Sequence, residues 1–267
     1  MGFAKKSLGQ NFLHDESVLQ DILKASDLSP TDRVLEIGPG QGFLTRALIE
    51  KAGHVTALEL DGDLIPWLKM DFGKAKNFDL IHTDALKYQP ASGPYKLVAN
   101  IPYYITSPIL NHFLLEQFRS GNPPTRMVLM VQREVAEKIV AKDKKYSLLS
   151  LEVQLFGKAE LVRIVPPTAF KPRPKVDSAV LKIDIYDKPL LEGNLKQIFW
   201  LFKVSFAQKR KKLSNNLRSA LKMNGMEVKN LLHHAGLPED LRAEDLNWEQ
   251  WQKLFNALGS HLPSFAK

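Results

Sequence analysis

An apolar run, Arg33-Val34-Leu35-Glu36-Ile37, leads into Gly38-Pro39-Gly40-Gln41-Gly42, and helically spaced apolar residues (Phe43, Leu44, Ala47, Leu48, Ile49) follow at once. Strand, glycine turn and helix in that order form the opening unit of a nucleotide-binding βαβ fold, so the chain is expected to be α/β with a parallel sheet. The spacing also bears on the ligand. A pyrophosphate-binding turn needs G-x-G-x-x-G, with the phosphate on the helix N-terminus. Here the pattern is G-x-G-x-G, Phe43 stands where the third glycine would fall, and Glu36 lies just ahead. That combination points to a cofactor without a phosphate.

Three more strands are expected to end in polar groups at the same sheet edge. Val55–Leu60 places Glu59 at its carboxyl end, where an acid can hold both hydroxyls of a ribose; the alternative is a surface carboxylate, and Asp61 is the fallback for the ribose role. Phe78–His82 is followed by Asp84, which either accepts from an adenine amino group or caps a helix. Tyr95–Ala99 runs into Asn100-Ile101-Pro102-Tyr103. There the Asn100 side-chain carbonyl and the Ile101 backbone carbonyl offer two acceptors suited to an exocyclic amine, and Tyr103 offers a flat face for a planar ring. Taken alone, an ordinary Asn-x-Pro turn is the plainer reading.

Upstream, Asp15 is a plausible N-cap for a helix through Ala25. Ahead of it, Ser7–Asp15 is either a tail pinned by Phe12 and Leu13 or a flap over a ligand site with Asn11 as a polar contact. Downstream, a helix runs from Ser107, Met127–Val131 is a fifth strand, and a helix surrounds Val135–Val140. Lys142–Lys145 reads as a solvated charged loop, and Ser147–Phe156 fits helix or strand. Glu160–Val165 and Ala179–Ile185 form a hairpin-like pair. The loop between them is stiffened by prolines and made basic by Lys171, Arg173 and Lys175. Phe170 within it is either an aromatic plug or a stacking platform opposite Tyr103.

Composition narrows the partner. The net charge of +8 in 267 residues favours an anionic partner. Residues 196–222 carry eight basic side chains, Lys209, Arg210, Lys211 and Lys212 among them, and no acid; uncompensated charge on this scale suggests phosphate contacts. With no cysteine, disulfides and thiol nucleophiles are excluded. No metal cluster, membrane span or secretory signal is expected. The boundary falls at Tyr186–Pro189, giving a domain over 1–187 and a helical, basic one over 188–267.

The chain resembles the ribosomal RNA adenine dimethyltransferase family, most closely its bacterial small-subunit branch. The resemblance covers nearly the whole length. It rests on Leu8–Leu13, Glu36–Gly42, Asn100–Tyr103, Phe170–Ser178 and Phe206–Leu213. Where Asn-Leu-Pro-Tyr is common in the family, this chain has Ile101, a conservative change at a position used for its backbone. The resemblance implies a Rossmann-like class I methyltransferase sheet of seven mostly parallel strands and a small all-helical C-terminal domain. It implies S-adenosylmethionine held through Asn11, Leu13, Gly38, Glu59, Asp84 and Asn100. Catalysis would fall to Asn100, Ile101, Tyr103 and Phe170, and RNA contacts to Lys171, Arg173 and Lys209–Lys212. The implied reaction is transfer of four methyl groups to N6 of two adjacent adenosines near the 3′ end of 16S rRNA, by a cytoplasmic monomer acting on the immature small subunit. The rivals are a large-subunit (23S) resistance-type methyltransferase and a largely non-catalytic assembly factor.

Overall fold

A computed structural model of the chain describes Lys5, residues 8–142 and residues 145–265. Lys6 and Ser7 of the N-terminal segment, and Asp143 and Lys144 of the expected charged loop, lie outside them. The chain divides into two compact units. One comprises residues 1–137 and 157–186; the other takes 187–267 and also 138–156, a stretch that the sequence alone assigns to the first domain.

The first unit is built on a seven-stranded sheet. Its strands are β2 (Arg33–Ile37), β3 (His54–Glu59), β4 (Phe78–His82), β5 (Lys96–Asn100), β6 (Arg126–Gln132), β7 (Gly157–Val165) and β9 (Ser178–Ile185), in the order β4-β3-β2-β5-β6-β9-β7. The first five are parallel, and β9 is antiparallel to both neighbours. β2, β5 and β6 are buried along nearly their whole length, as expected where both faces are covered. β7, at the edge, alternates instead. From β2 the chain moves outward through β3 to β4, whereas β5 leads the other way to β6. The crevice where that order reverses lies at the carboxyl ends of β2 and β5, the place where open α/β sheets bind ligands.

Two short strands, β1 (Phe12–Leu13) and β8 (Phe170–Lys171), pair antiparallel and bring the N-terminal segment against the proline-rich loop. The helix α1 (Glu16–Ser26) begins where Asp15 accepts from the backbone N–H of Ser17 and Val18 at 2.9 and 3.3 Å, a cap worth about 1 kcal/mol. It buries Val18, Leu19, Ile22 and Leu23. α2 (Phe43–Lys51) and α3 (Ile65–Phe72) cover β2 to β4. The expected helix after Asn100–Tyr103 is less regular than its apolar spacing implied. A 3₁₀ turn (Tyr103–Ile105), α4 (Thr106–Leu110), a π-helical stretch (Asn111–Glu116) and α5 (Gln117–Ser120) follow one another. The π stretch brings His112 and Gln117, five apart, to one face. His112 Nε2 meets Tyr88 O at 2.9 Å, and Gln117 Nε2 donates to Gln89 Oε1 at 2.9 Å. These buried polar groups find their partners on the loop after Asp84, a satisfaction that a regular helix would not give. α6 (Arg133–Ile139) follows β6.

In the second unit, α7 (Leu148–Gln154) settles the Ser147–Phe156 alternative as helix, opened by a Ser147–Ser150 capping box. α8 (Leu195–Ser205), α9 (Leu213–Leu221), α10 (Gly225–His234) and α11 (Trp248–Leu258) complete it. Phe202 and the fully buried Trp251 meet edge-to-face at 5.0 Å in its core. Lys209–Lys212 are all exposed, on the loop between α8 and α9. Asn216, buried, donates to Ser205 O at 2.6 Å and to Gln208 O at 3.3 Å, which ties down the start of that loop.

The glycine turn packs as tightly as its sequence suggests. Gly42 has φ +80, and a Cβ there would sit 2.4 Å from the Phe72 ring. Gly42→Ala is therefore expected to destabilise by roughly 2–4 kcal/mol, from left-handed strain and overpacking together. Gly121 has a similar φ of +77 with nothing within 4 Å, so Gly121→Ala is expected to cost only about 1 kcal/mol. Urea unfolding of the two variants checks the difference.

Candidate active site

A cavity of ≈ 340 Å³ opens at the switch point. Each surrounding element contributes through its chain end: Glu36–Gln41 from β2, Leu58–Leu60 from β3, Thr83–Leu86 beyond β4, Asn100–Ile105 from β5, and Leu8–Leu13 from the N-terminal segment. Asn11, Leu13, Gly38, Glu59, Asp84, Asn100, Ile101 and Tyr103 are all brought together there. The cavity walls carry three carboxylates, Glu36, Glu59 and Asp84, and no Lys, Arg or His among the described residues. In a chain of net charge +8, this wall favours a cationic ligand and disfavours a phosphate.

Glu59 is buried, and its carboxylate is held on both sides: Oε2 accepts from Gly40 N at 3.1 Å and Oε1 from Asp61 N at 2.8 Å. Burial raises its pKa, and those two backbone donors oppose the rise. Glu36 is 1% exposed, and its Oε2 has no hydrogen-bond partner. Burial, with the neighbouring Glu59 charge adding to it, pushes the Glu36 carboxyl up to about 8. Asp84 accepts from Leu86 N at 3.0 Å and so caps a short turn, the capping alternative, while its residue also lines the cavity.

Asn100 Nδ2 donates to Asn11 O at 3.0 Å. A backbone carbonyl accepts only, so this contact settles which end of the amide is which and leaves Oδ1 as its acceptor. Tyr103 OH and Ser178 Oγ are 2.6 Å apart, which fixes the phenol ring at the cavity wall. Burial raises the Tyr103 pKa against the opposing Ser178 contact.

Phe170 is a correction. It is 2% exposed in the core with Leu13 and Val18, and it does not line the cavity. Its pairing opposite Leu13 places it with that core, so the plug alternative is the one the structure has, and no stacking face is presented opposite Tyr103. Asp61, the fallback for the ribose role, is also placed differently: its carboxylate meets Lys5 Nζ at 2.6 Å and Gln10 Nε2 at 2.9 Å and does not line the cavity. Lys171 and Arg173 are exposed on the proline-rich loop. The sequence marks Glu36 only as the acid ahead of the glycine turn and Gln10 only as a member of the Leu8–Leu13 motif, neither as a wall residue, and nothing local marks Tyr104.

A family model described as ribosomal RNA adenine dimethylase matches residues 2–259. The chain belongs to that family. Among relatives of this adenine dimethylase, the ribosomal RNA small subunit methyltransferase A of Dehalococcoides mccartyi (strain CBDB1) is 46% identical over 94% of this chain and 87% of its own. The protein of that name from Clostridium botulinum (strain Loch Maree / Type A3) is 42% identical over 95% and 93%. Among solved structures, the 23S rRNA methyltransferase ErmE superposes with a TM-score of 0.75 at 31% identity, over 93% of this chain and 99% of its own. A dimethyladenosine transferase from Plasmodium falciparum gives 0.78 at 27% identity, over 94% and 98%. The seven-stranded methyltransferase sheet and the helical C-terminal region implied by the sequence are thus both present. A methyltransferase of this family takes a methyl donor of the S-adenosylmethionine type, and a wall that holds Glu59 and Asp84 with no basic residue among the described ones fits such a cation.

The Glu36 carboxyl gives a pH test. Its folded value of about 8 lies above the ordinary 4.5, so the folded state holds the proton more tightly and this group's stabilisation is lost as pH rises from 4.5 to 8. Glu36→Gln removes the titration. Its stability advantage over the unmodified protein is expected to widen with pH by up to about 1.4 kcal/mol per unit across that window. Urea midpoints at pH 5, 7 and 9 check it; parallel profiles would count against a neutral Glu36.

Proposed function

We propose that the protein uses S-adenosylmethionine to dimethylate N6 of two adjacent adenosines near the 3′ end of small-subunit ribosomal RNA, in the immature subunit. The observation that carries the chemistry is the Asn100 amide, oriented by Asn11 at the rim of an acidic cavity. The higher identity of the two small-subunit methyltransferases, 46% and 42% against 31% for the 23S enzyme, supports the choice of substrate.

The cofactor, when bound, supplies an electrophilic methyl group on a sulfonium. The neighbouring residues bind and orient. Glu59 takes the ribose hydroxyls, Asp84 the donor's adenine amino group, and Glu36 and the Asn11–Leu13 segment line the remaining wall. An aryl amine is a poor nucleophile because its lone pair is delocalised into the ring. Asn100 Oδ1 and the Ile101 carbonyl accept its hydrogens and favour a pyramidal nitrogen with the lone pair free. Neither is a strong base, so their contribution is positioning and electrostatic. Tyr103 gives the swung-out adenine a flat face. Lys171, Arg173 and Lys209–Lys212 contact phosphates.

Asn100→Ala is expected to lower kcat by about 10²–10³-fold with the fold intact and RNA binding largely retained; near-normal turnover would remove Asn100 from the chemistry. Reversing the charges of Lys209–Lys212 is expected to weaken rRNA binding and flatten its salt dependence by roughly 0.7–0.9 in slope for each phosphate no longer neutralised, with donor affinity unchanged. Labelled S-adenosylmethionine, offered with unmodified small subunits and separately with large-subunit rRNA, tests the substrate by where N6-dimethyladenosine appears. Label on the large-subunit RNA alone would overturn the small-subunit assignment.

A further inference from the structure

The N-terminal segment is fastened on both sides of the β2 glycine turn. On the β3 side, Asp61 holds it: Lys5 Nζ lies 2.6 Å from Oδ1 and Gln10 Nε2 donates to Oδ2 at 2.9 Å. Gln10 is locked in turn, because its Oε1 accepts from Lys5 N at 2.7 Å. On the β5 side, Asn11 O accepts from Asn100 Nδ2, and Gly9 lies against the Tyr104 ring, 3.3 Å from where its Cβ would be. Just past the Asn11 anchor the segment lies against the turn itself, with the Phe12 ring 3.0 Å from a Cβ built on Gly40. Residues 8–13 thus form a strap across the cavity they line.

Asp61 is an unusual anchor. Its side chain is 2% exposed while its partner Lys5 is 39% exposed, so a buried carboxylate is satisfied from a segment outside the sheet. Removing the partners would leave that buried charge with the backbone N–H of Asp63 alone. We propose that Asp61 is a positioning residue that latches the strap over the donor cavity. While the latch is closed, Asn11 holds the Asn100 amide in register; donor and demethylated product exchange when it opens. The inference rests on the donor reading given under Proposed function.

The test has one arm without ligand and one with it. Asp61→Asn removes the charge and sets an amide donor against Gln10. Because Asp61 also accepts from Asp63 N, Gln10→Glu serves as a second variant that leaves that contact alone and opposes two carboxylates instead. In unliganded protein, the Leu8 and Gln10 amides, which both face Lys5 O, are expected to exchange hydrogen about tenfold faster or more in both variants, with the thermal midpoint nearly unchanged. Unchanged exchange in both overturns the latch, whatever the ligand does. In the second arm, dissociation of S-adenosylhomocysteine is followed by stopped flow. It is expected to speed up by about tenfold or more, the donor KM to rise and the RNA KM to stay. For Gln10→Glu both effects should reverse on acidification, which a merely structural lesion would not do. Faster exchange with unaltered ligand release overturns the covering role and keeps the donor site. Failure of the unmodified protein to bind S-adenosylhomocysteine overturns the donor reading and the covering role with it, while the exchange arm still decides the latch.

Discussion

The cavity exists because β2 and β5 lie side by side while the chain leaves them in opposite directions. Connections from β2 turn outward over β3 and β4; those from β5 turn toward β6. Nothing in the sheet covers the carboxyl ends between them. Backbone polar groups at those ends need partners other than strands. Glycines let the β2 turn come close, and Asn100 ends β5 with an amide. The same gap admits the strap, which supplies the carbonyl of Asn11 to that amide. Cavity geometry and chain topology are one constraint here.

Charge is divided by location. The chain is strongly basic, yet the cavity wall is acidic and holds no described basic residue. Basic side chains lie instead on exposed loops, at Lys171 and Arg173 and at Lys209–Lys212. An anionic polymer would meet the loops, and a small cation would meet the cavity. The arrangement separates the two ligands by electrostatics before any specific contact is made. Glu36 and Glu59 are buried together in that wall, with their carboxyls pushed toward the protonated form.

Much of this was legible in the chain because it depends on local spacing. Asp15 caps α1 as its position ahead of an apolar helix implies. Four strands end in glycine or polar residues, and all four ends meet at one cavity. Other features were not legible, for identifiable reasons. Phe170 had no pattern around it to say which way it faced; pairing of β8 with β1, across about 160 residues of chain, decided that it is buried. The apolar spacing after Ser107 is compatible with a plain helix, and the π-helical stretch answers to partners on a distant loop. Lys138–Phe156 joins the helical unit although it sits between strands of the sheet in sequence.

The sequence by itself determined the strand–turn–helix unit, the absence of a phosphate-binding glycine spacing, the acids and the amide available to a ligand, and the motifs that place the chain in its family. These follow from residue types at short separations, where covalent geometry leaves few choices. Tertiary structure alone decided which of those groups face the cavity, that Asp61 serves the strap, that Phe170 serves the core, and that the Asn100 amide presents its oxygen. Each of these depends on a contact between residues far apart in the chain, and such contacts are set by which elements pack together.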